Sequence, residues 1–252
     1  MITEQDIQQA TMFIDGVDIY NVGALVKDFK VSATAIANTA YQGMDSTNFN
    51  VLSTVRGMRV ITVTLFYKGT TKRELALKKA KIDNALGAGK VELYLPDGFY
   101  YSAYLTSAGE ESVLGVEGQD VIALCTYTLE GIRHDELETV IISGGGSREF
   151  ECKSIIPLTD VKITVSASGY SGNYVINDAA GNGSVAVNNI GAQDTIVIDG
   201  INKRILKNGA PFTGSMSFTR FPKLVPGENL IRIYRNGSLI GLPITIEYYP
   251  TY

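Results

Sequence analysis

The sequence predicts a mainly β protein built from two bodies, and three observations carry that prediction. Short apolar segments with strand alternation recur along most of the chain, separated by Gly, Asn, Asp and Pro turn chemistry. Only one stretch, Thr71 to Leu86, has convincing helical spacing. Near the middle, Ser143-Gly144-Gly145-Gly146-Ser147 resists helix and strand alike, because three consecutive glycines lose much backbone entropy on being fixed. This run reads as a hinge, with residues 1–142 before it and 148–252 after it.

Bulk properties agree. A length of 252 residues fits two ordinary domains, and a hydrophobic share of 45% gives each a core to bury. With 26 glycines and only 19% charged residues, many tight turns are expected, as all-β domains require. Residues 1–146 hold 12 Lys/Arg against 18 Asp/Glu, a net of −6, and residues 147–252 hold 10 against 8, a net of +2. An acidic first half argues against ordinary nucleic-acid binding, which needs clustered cations to displace condensed counterions. The polar start, Met1 to Ala10, has neither a basic stretch nor an apolar one, and no run approaches the roughly 18 apolar residues of a membrane span. The expectation is a soluble protein made in a cytoplasm, without membrane insertion.

Taken in order, Met12-Phe13-Ile14 and Val17-Asp18-Ile19 form two short strands around the turn Asp15-Gly16. Ser32 to Asn50 is rich in Ala, Thr, Ser and Asn and scatters Ile36, Tyr41, Met44 and Phe49 without a period. It is either disordered or an arm that packs elsewhere, and its large apolar side chains favour the arm. Met58 to Tyr67 is a strand apolar on both faces, which predicts cover on both sides. In the helix Thr71–Leu86, Thr71 and Glu74 make a capping box, Leu75, Ile82 and Leu86 share a stripe flanked by Lys78 and Lys79, and Gly87 ends it in the left-handed conformation. Such a narrow stripe predicts a helix lying on a sheet. Val91 to Leu95 and Phe99 to Leu105 pair around Pro96-Asp97-Gly98, Gly109 to Gly118 reads as a polar loop, Val121 to Leu129 as a strand and Val140 to Ile142 as a short one before the hinge.

Beyond the hinge, strands are expected at Val161–Val165, Tyr174–Ile176, Ser184–Val187, Thr195–Ile198, Arg204–Leu206, Ser215–Thr219, Leu230–Tyr234, Ser238–Leu242 and Ile244–Tyr248. Asn236-Gly237 is the strongest type I′ hairpin signal. Strands and turns with almost no helical period predict a β-sandwich.

Candidates for chemistry are few. His134, the single histidine, sits among Asp135, Glu136 and Glu138 in what reads as a solvated stretch, and one histidine excludes multi-His metal clusters. Gly87-Ala88-Gly89-Lys90 lacks the spacing and the following Ser/Thr of a phosphate loop. Asn177, Asp178, Gly181, Asn182 and Gly183 imitate a calcium loop with too few carboxylates, and a hairpin turn fits them better. Cys125 lies in an apolar run as a core residue; the spacing of Cys125 and Cys152 does not exclude a disulfide, but two cysteines make no disulfide framework. A sandwich raises the question of sugar binding. The chain has no Trp to stack on a ring face, leaving Tyr170, Tyr174 and the tail Tyr248-Tyr249-Pro250-Thr251-Tyr252. For a hydrolase, Glu110-Glu111 and Glu136/Glu138 supply carboxylates but no evident site. No catalytic, metal or cofactor residue is predicted.

Three stretches carry a family resemblance. Ile196-Val197-Ile198-Asp199-Gly200 runs into Lys203-Arg204-Ile205-Leu206-Lys207-Asn208-Gly209. Phe221-Pro222-Lys223-Leu224-Val225-Pro226-Gly227-Glu228-Asn229-Leu230-Ile231 feeds the Asn236-Gly237 hairpin, and Phe13-Ile14-Asp15-Gly16-Val17-Asp18 opens the chain. Pro226-Gly227 suits the centre of a type II turn, Gly supplying the positive φ. Together these resemble the distal tail proteins of long-tailed, non-contractile phages, over essentially the whole chain. The resemblance implies an N-terminal β-rich domain, tail-tube-like and carrying one helix, that closes into a six-membered ring, and a C-terminal galectin-like β-sandwich outside it. It implies a structural hub in the virion, assembled in the host bacterial cytoplasm and joining the tail tube to the adsorption apparatus. Its implied partners are further copies of itself, the tail tube protein, a tail-tip lysin or fibre protein and the tape measure protein. Duplex DNA would pass through a central channel without specific binding, which the acidic first half would favour. Ser32 to Asn50 would be an arm to the neighbouring subunit, with Tyr41, Met44 and Phe49 at the interface. Phe221, Pro222, Pro226, Gly227 and Asn229 would form the family's turn. The other reading is a carbohydrate- or receptor-binding module of a tail tip.

Overall fold

The computed structural model describes residues 12–34, 36–42, 49–117, 120–144, 149–178, 180–181 and 183–252. Two compact units divide the chain, Met1–His134 and Asp135–Tyr252. In the first, the strands are β1 (Phe13–Ile14), β2 (Val17–Asp18), β3 (Ala24–Val31), β4 (Ile36–Gln42), β5 (Phe49–Arg56), β6 (Arg59–Gly69), β7 (Lys90–Tyr94), β8 (Tyr100–Ala108), β9 (Ser112–Glu117) and β10 (Asp120–His134), joined among the described residues by a short 3-10 helix (Ile19–Val22) and one α-helix, α1 (Lys72–Leu86).

Strong alternation makes β6 and β10 the centre of the first unit. They pair antiparallel from Arg59↔Gly131 to Gly69↔Val121, in a sheet ordered β2-β1-β7-β8-β10-β6-β3, with β9 added on β10. One face of these strands, Ile61, Val63, Leu65 and Tyr67 with Ala123, Cys125, Tyr127 and Leu129, is fully buried. Leu75, Ile82 and Leu86 of α1 join the same core, so the helix lies on the sheet as its stripe predicts. The opposite face is not covered within the unit: Val60 is 40% exposed, and Thr64 meets Thr126 at 3.1 Å in a solvent-facing cross-strand pair. The expected cover on both sides of this strand is thus corrected to one.

Thr71 caps α1 by accepting from the Glu74 N–H at 3.2 Å, while Glu74 reaches one residue further back than a standard capping box, to the Thr70 N–H at 2.9 Å. Gly87 does not take the left-handed conformation. It stays right-handed (φ −84°, ψ 0°), its N–H on the Asp83 carbonyl at 2.8 Å, and the positive φ falls on Gly89 at 105°. The polar loop expected over 109–118 contains β9. A bulge hides it: Gly115 pairs with Ile122 and Val113 with Ala123, so Leu114 has no opposite number and the alternation slips. The segment expected to be disordered or an arm forms the ribbon β4–β5, whose strands pair only with each other among the described residues.

The second unit contains β11 (Glu138–Ile142), β12 (Glu149–Cys152), β13 (Thr159–Ser166), β14 (Gly172–Asp178), β15 (Ser184–Ile190), β16 (Thr195–Asp199), β17 (Arg204–Lys207), β18 (Ala210–Pro211), β19 (Met216–Arg220), β20 (Lys223–Leu224), β21 (Gly227–Arg235), β22 (Ser238–Leu239) and β23 (Ile244–Tyr248). One sheet runs β11-β23-β13-β16-β17-β18 with β20 on β13, the other β12-β21-β14-β15-β19 with β22 on β21. Their inner faces, Val161, Ile163, Ile198 and Ile246 from one and Tyr174, Ile176, Val187 and Ile233 from the other, bury a shared core. This is the expected sandwich.

The glycine run has a different place from the one expected. β11 before it pairs with β23 and β12 after it pairs with β21, so it connects the two sheets of one sandwich. Gly145, Gly146 and Ser147 lie outside the described residues. The strand expected to close the first body therefore belongs to the second, and the charge split shrinks with the boundary. Residues 1–134 hold 12 Lys/Arg against 15 Asp/Glu, a net of −3, and residues 135–252 hold 10 against 11, a net of −1.

Candidate assembly surfaces and a buried histidine

The turn carrying the resemblance is a buried fastening. Gly227 supplies the expected positive φ (81°) after Pro226. Asn229, only 7% exposed, uses its whole amide on the turn: Oδ1 accepts from the Val225 N–H at 2.9 Å, and Nδ2 donates to the carbonyls of Val225 at 2.7 Å and Gly227 at 2.8 Å. Asp178 accepts from the Lys223 N–H at 3.2 Å, and Leu224 is fully buried where β20 pairs with β13. Phe221 and Pro222 pass so close to Gly183 that a Cβ there would stand 2.3 Å from the Phe221 carbonyl oxygen. These residues hold the sandwich together.

The preceding stretch is held in the same way. Asp199, fully buried, accepts from the Asn202 N–H at 3.0 Å, Asn202 Nδ2 at 2.9 Å and Arg204 Nε at 2.9 Å. Burial alone would raise its pKa, but the hydrogen bonds from Asn202 and Arg204 outweigh that and hold it below the usual carboxylate range. Asp194 is held at about 2 by Lys207, Asn208 and the Gly191 N–H. Asn208 (φ 51°) and Gly209 (φ 81°) make the intervening type I′ turn.

Of the three expected interface residues, Tyr41 and Phe49 fall on the ribbon, opposite Asn50 and Gln42 respectively, and Met44 lies outside the described residues. The ribbon thus brings the backbones of Tyr41 and Phe49 to one end of the strand pair.

His134 is the largest departure from the sequence reading. It is 4% exposed, not solvated, because β10 runs through residue 134 and pairs it with Tyr100, which stacks on its ring at 5.9 Å and 16°. Its Nε2 contacts Glu92 Oε1, and Ser102 Oγ lies 3.2 Å from the same nitrogen and 2.9 Å from Glu92 Oε2. Ser, His and Glu side by side invite a nucleophile reading, and the geometry opposes it. A carboxylate has no proton to give, so Nε2 must carry one toward Glu92. The nitrogen facing Ser102 therefore has no lone pair to activate the hydroxyl, whose own proton is directed at Glu92. No signal short of the length of β10 would have placed His134 here.

Of the tyrosines considered for sugar stacking, Tyr174 donates its hydroxyl to the Tyr170 carbonyl. Tyr174 and Tyr248 are core residues, and exposed Tyr170 has the Arg235 guanidinium over its ring at 5.1 Å. Cys125 and Cys152 are both buried and free.

Comparison with known proteins follows the same division. Residues 158–252 match the family model described as "Siphovirus-type tail component, C-terminal domain". The fold of nearly the whole chain is similar to the crystal structure of the SPP1 Dit (gp 19.1) protein, described as a paradigm of hub adsorption apparatus in Gram-positive infecting phages. That likeness has a TM-score of 0.66 at 14% identity and covers 96% of this chain and 99% of that one. Two structures of the phage p2 baseplate in its activated conformation, with Sr and with Ca, match with TM-scores of 0.55 at 11% and 12% identity, each over 94% of this chain and 97% of theirs. No curated protein sequence matches significantly. The resemblance to distal tail proteins read from the sequence thus holds both in the family match and in the fold.

Proposed function

We propose that this chain is the distal tail hub component of a long-tailed, non-contractile phage. It acts in several copies that close into a ring, with six as the copy number the resemblance implies. The ring joins the tail tube to the adsorption apparatus and leaves a channel through which duplex DNA passes unbound. The observation that carries this reading is the agreement of two findings: a whole-chain fold likeness to a hub protein and a tail-component family match over the C-terminal unit. The unburied outer face of the first sheet supplies apolar surface of the kind that subunit contacts cover, and the β4–β5 ribbon pairs with no other strand among the described residues. With the units nearly balanced in charge, passage of DNA needs only a wall without a basic stripe, and no strong acidic lining.

The protein works through shape and copy number, in the virion, with tube, tip and tape measure proteins as its neighbours, and performs no reaction. The test is genetic. Virions assembled without this chain, viewed by electron microscopy, are expected to lack a finished tail tip and to fail at genome ejection. Complete, infective tails in its absence overturn the proposal.

A further inference from the structure

The outer face of the first sheet carries an ordered row of rings beside a fixed carboxylate. The register sets Phe13 opposite Tyr94 and Tyr94 opposite Tyr100, so three neighbouring strands contribute one ring each. Their centroids are 6.0 Å apart at 61° for the first pair and 4.9 Å apart at 54° for the second. Glu92, two residues before Tyr94, shares its face of β7. With Gly16 these residues line a cavity of about 220 Å³.

Glu92 is held from behind. His134 Nε2 contacts Oε1, and the Ser102 hydroxyl donates to Oε2 at 2.9 Å, which fixes the carboxylate while leaving its side chain 35% exposed. The backbone of Glu92 is fixed as well, its N–H donating to Asp15 Oδ1 at 2.7 Å. On that side Gly16 leaves the mouth open, since a Cβ there would meet nothing within 4 Å.

Aromatic faces are electron-rich, and a desolvated cation over them gains up to about 2 kcal/mol. A neutral apolar guest would strip water from Glu92 without compensation, and an anion would be repelled by it. We propose that this pocket takes one organic cation, the guanidinium or ammonium head of an arginine or lysine side chain, held against the row of rings of Phe13, Tyr94 and Tyr100 with Glu92 as its counter-charge. The pocket's chemistry does not depend on the tail-hub reading.

The test uses the full chain with ¹³C-labelled Phe and Tyr rings, titrated at mildly alkaline pH with arginine methyl ester and with its uncharged isostere, citrulline methyl ester. The expected result is a saturable shift of the Phe13, Tyr94 and Tyr100 ring signals with the arginine ester alone, weakened about tenfold by Glu92→Gln or by Tyr94→Leu. Should Glu92→Gln release His134 and unfold, Tyr94→Leu on the outer face of β7 decides the matter. Absence of a ring response, an equal response to citrulline ester, or undiminished binding in a folded Tyr94→Leu protein overturns the proposal.

Discussion

Asn229 grips Val225 twice, accepting from its N–H at 2.9 Å and donating to its carbonyl at 2.7 Å. An asparagine amide can imitate a strand partner in this way because donor and acceptor sit side by side on one rigid group. Replacing it with Asp removes the donor and leaves the Val225 and Gly227 carbonyls unpaired in a buried place. The expected loss is roughly 1–3 kcal/mol for Asn229→Asp or Asn229→Ala. Urea denaturation followed by circular dichroism measures it.

Gly183 and Phe221 give a steric prediction. A methyl group at residue 183 meets the Phe221 carbonyl oxygen at 2.3 Å, and backbone cannot swing aside as a side chain can. Gly183→Ala is expected to destabilise the second unit by about 3 kcal/mol or to prevent its folding. Gly181→Ala, which meets nothing but needs φ 75°, is expected to cost only about 1 kcal/mol. Similar melting curves for the two variants would refute the packing described.

Acid should weaken the second unit through Asp194 and Asp199. Both have folded-state pKa values below normal, Asp194 near 2. Between the folded value and an unfolded value of about 4, the unfolded chain binds more protons than the native one. The stabilisation is therefore complete above about pH 4 and is lost as pH falls toward about 2. Asp194→Asn should flatten this limb, with denaturant midpoints compared across that range as the readout; an unchanged acid limb contradicts the linkage.

In the first unit, α1 is fastened by Leu86, which is fully buried, and by the Thr71 cap. Leu86→Ala is expected to cost about 2–5 kcal/mol and Thr71→Ala about 1 kcal/mol. Amide hydrogen exchange along 72–86 should accelerate far more in the first variant.

How much of this could be read beforehand depended on how local the signal was. The Asp15-Gly16, Asn208-Gly209 and Asn236-Gly237 turns, the capped helix and its stripe were legible because each is written within a few residues. The glycine run was misassigned because entropy says where a chain is loose, and pairing of β11 with β23 and β12 with β21 decides which body each side joins. β9 was missed at a bulge, where alternation fails. The Glu92–His134 contact spans 42 positions in the chain, and the registers of β7 on β8 and of β8 on β10 together bring it about. The Pro226-Gly227 turn was legible in its residues, but its role as a buried fastening became visible only with Gly183 beneath it.

The most direct test of the central claim is the mass and shape of the purified full chain, by light scattering coupled to chromatography and by negative-stain averaging. The account predicts a closed annulus with a central hole and a mass near six times the 27.2 kDa of one chain. A protein that remains a single copy at high concentration, and forms no ring when tail tube protein is added, would contradict it.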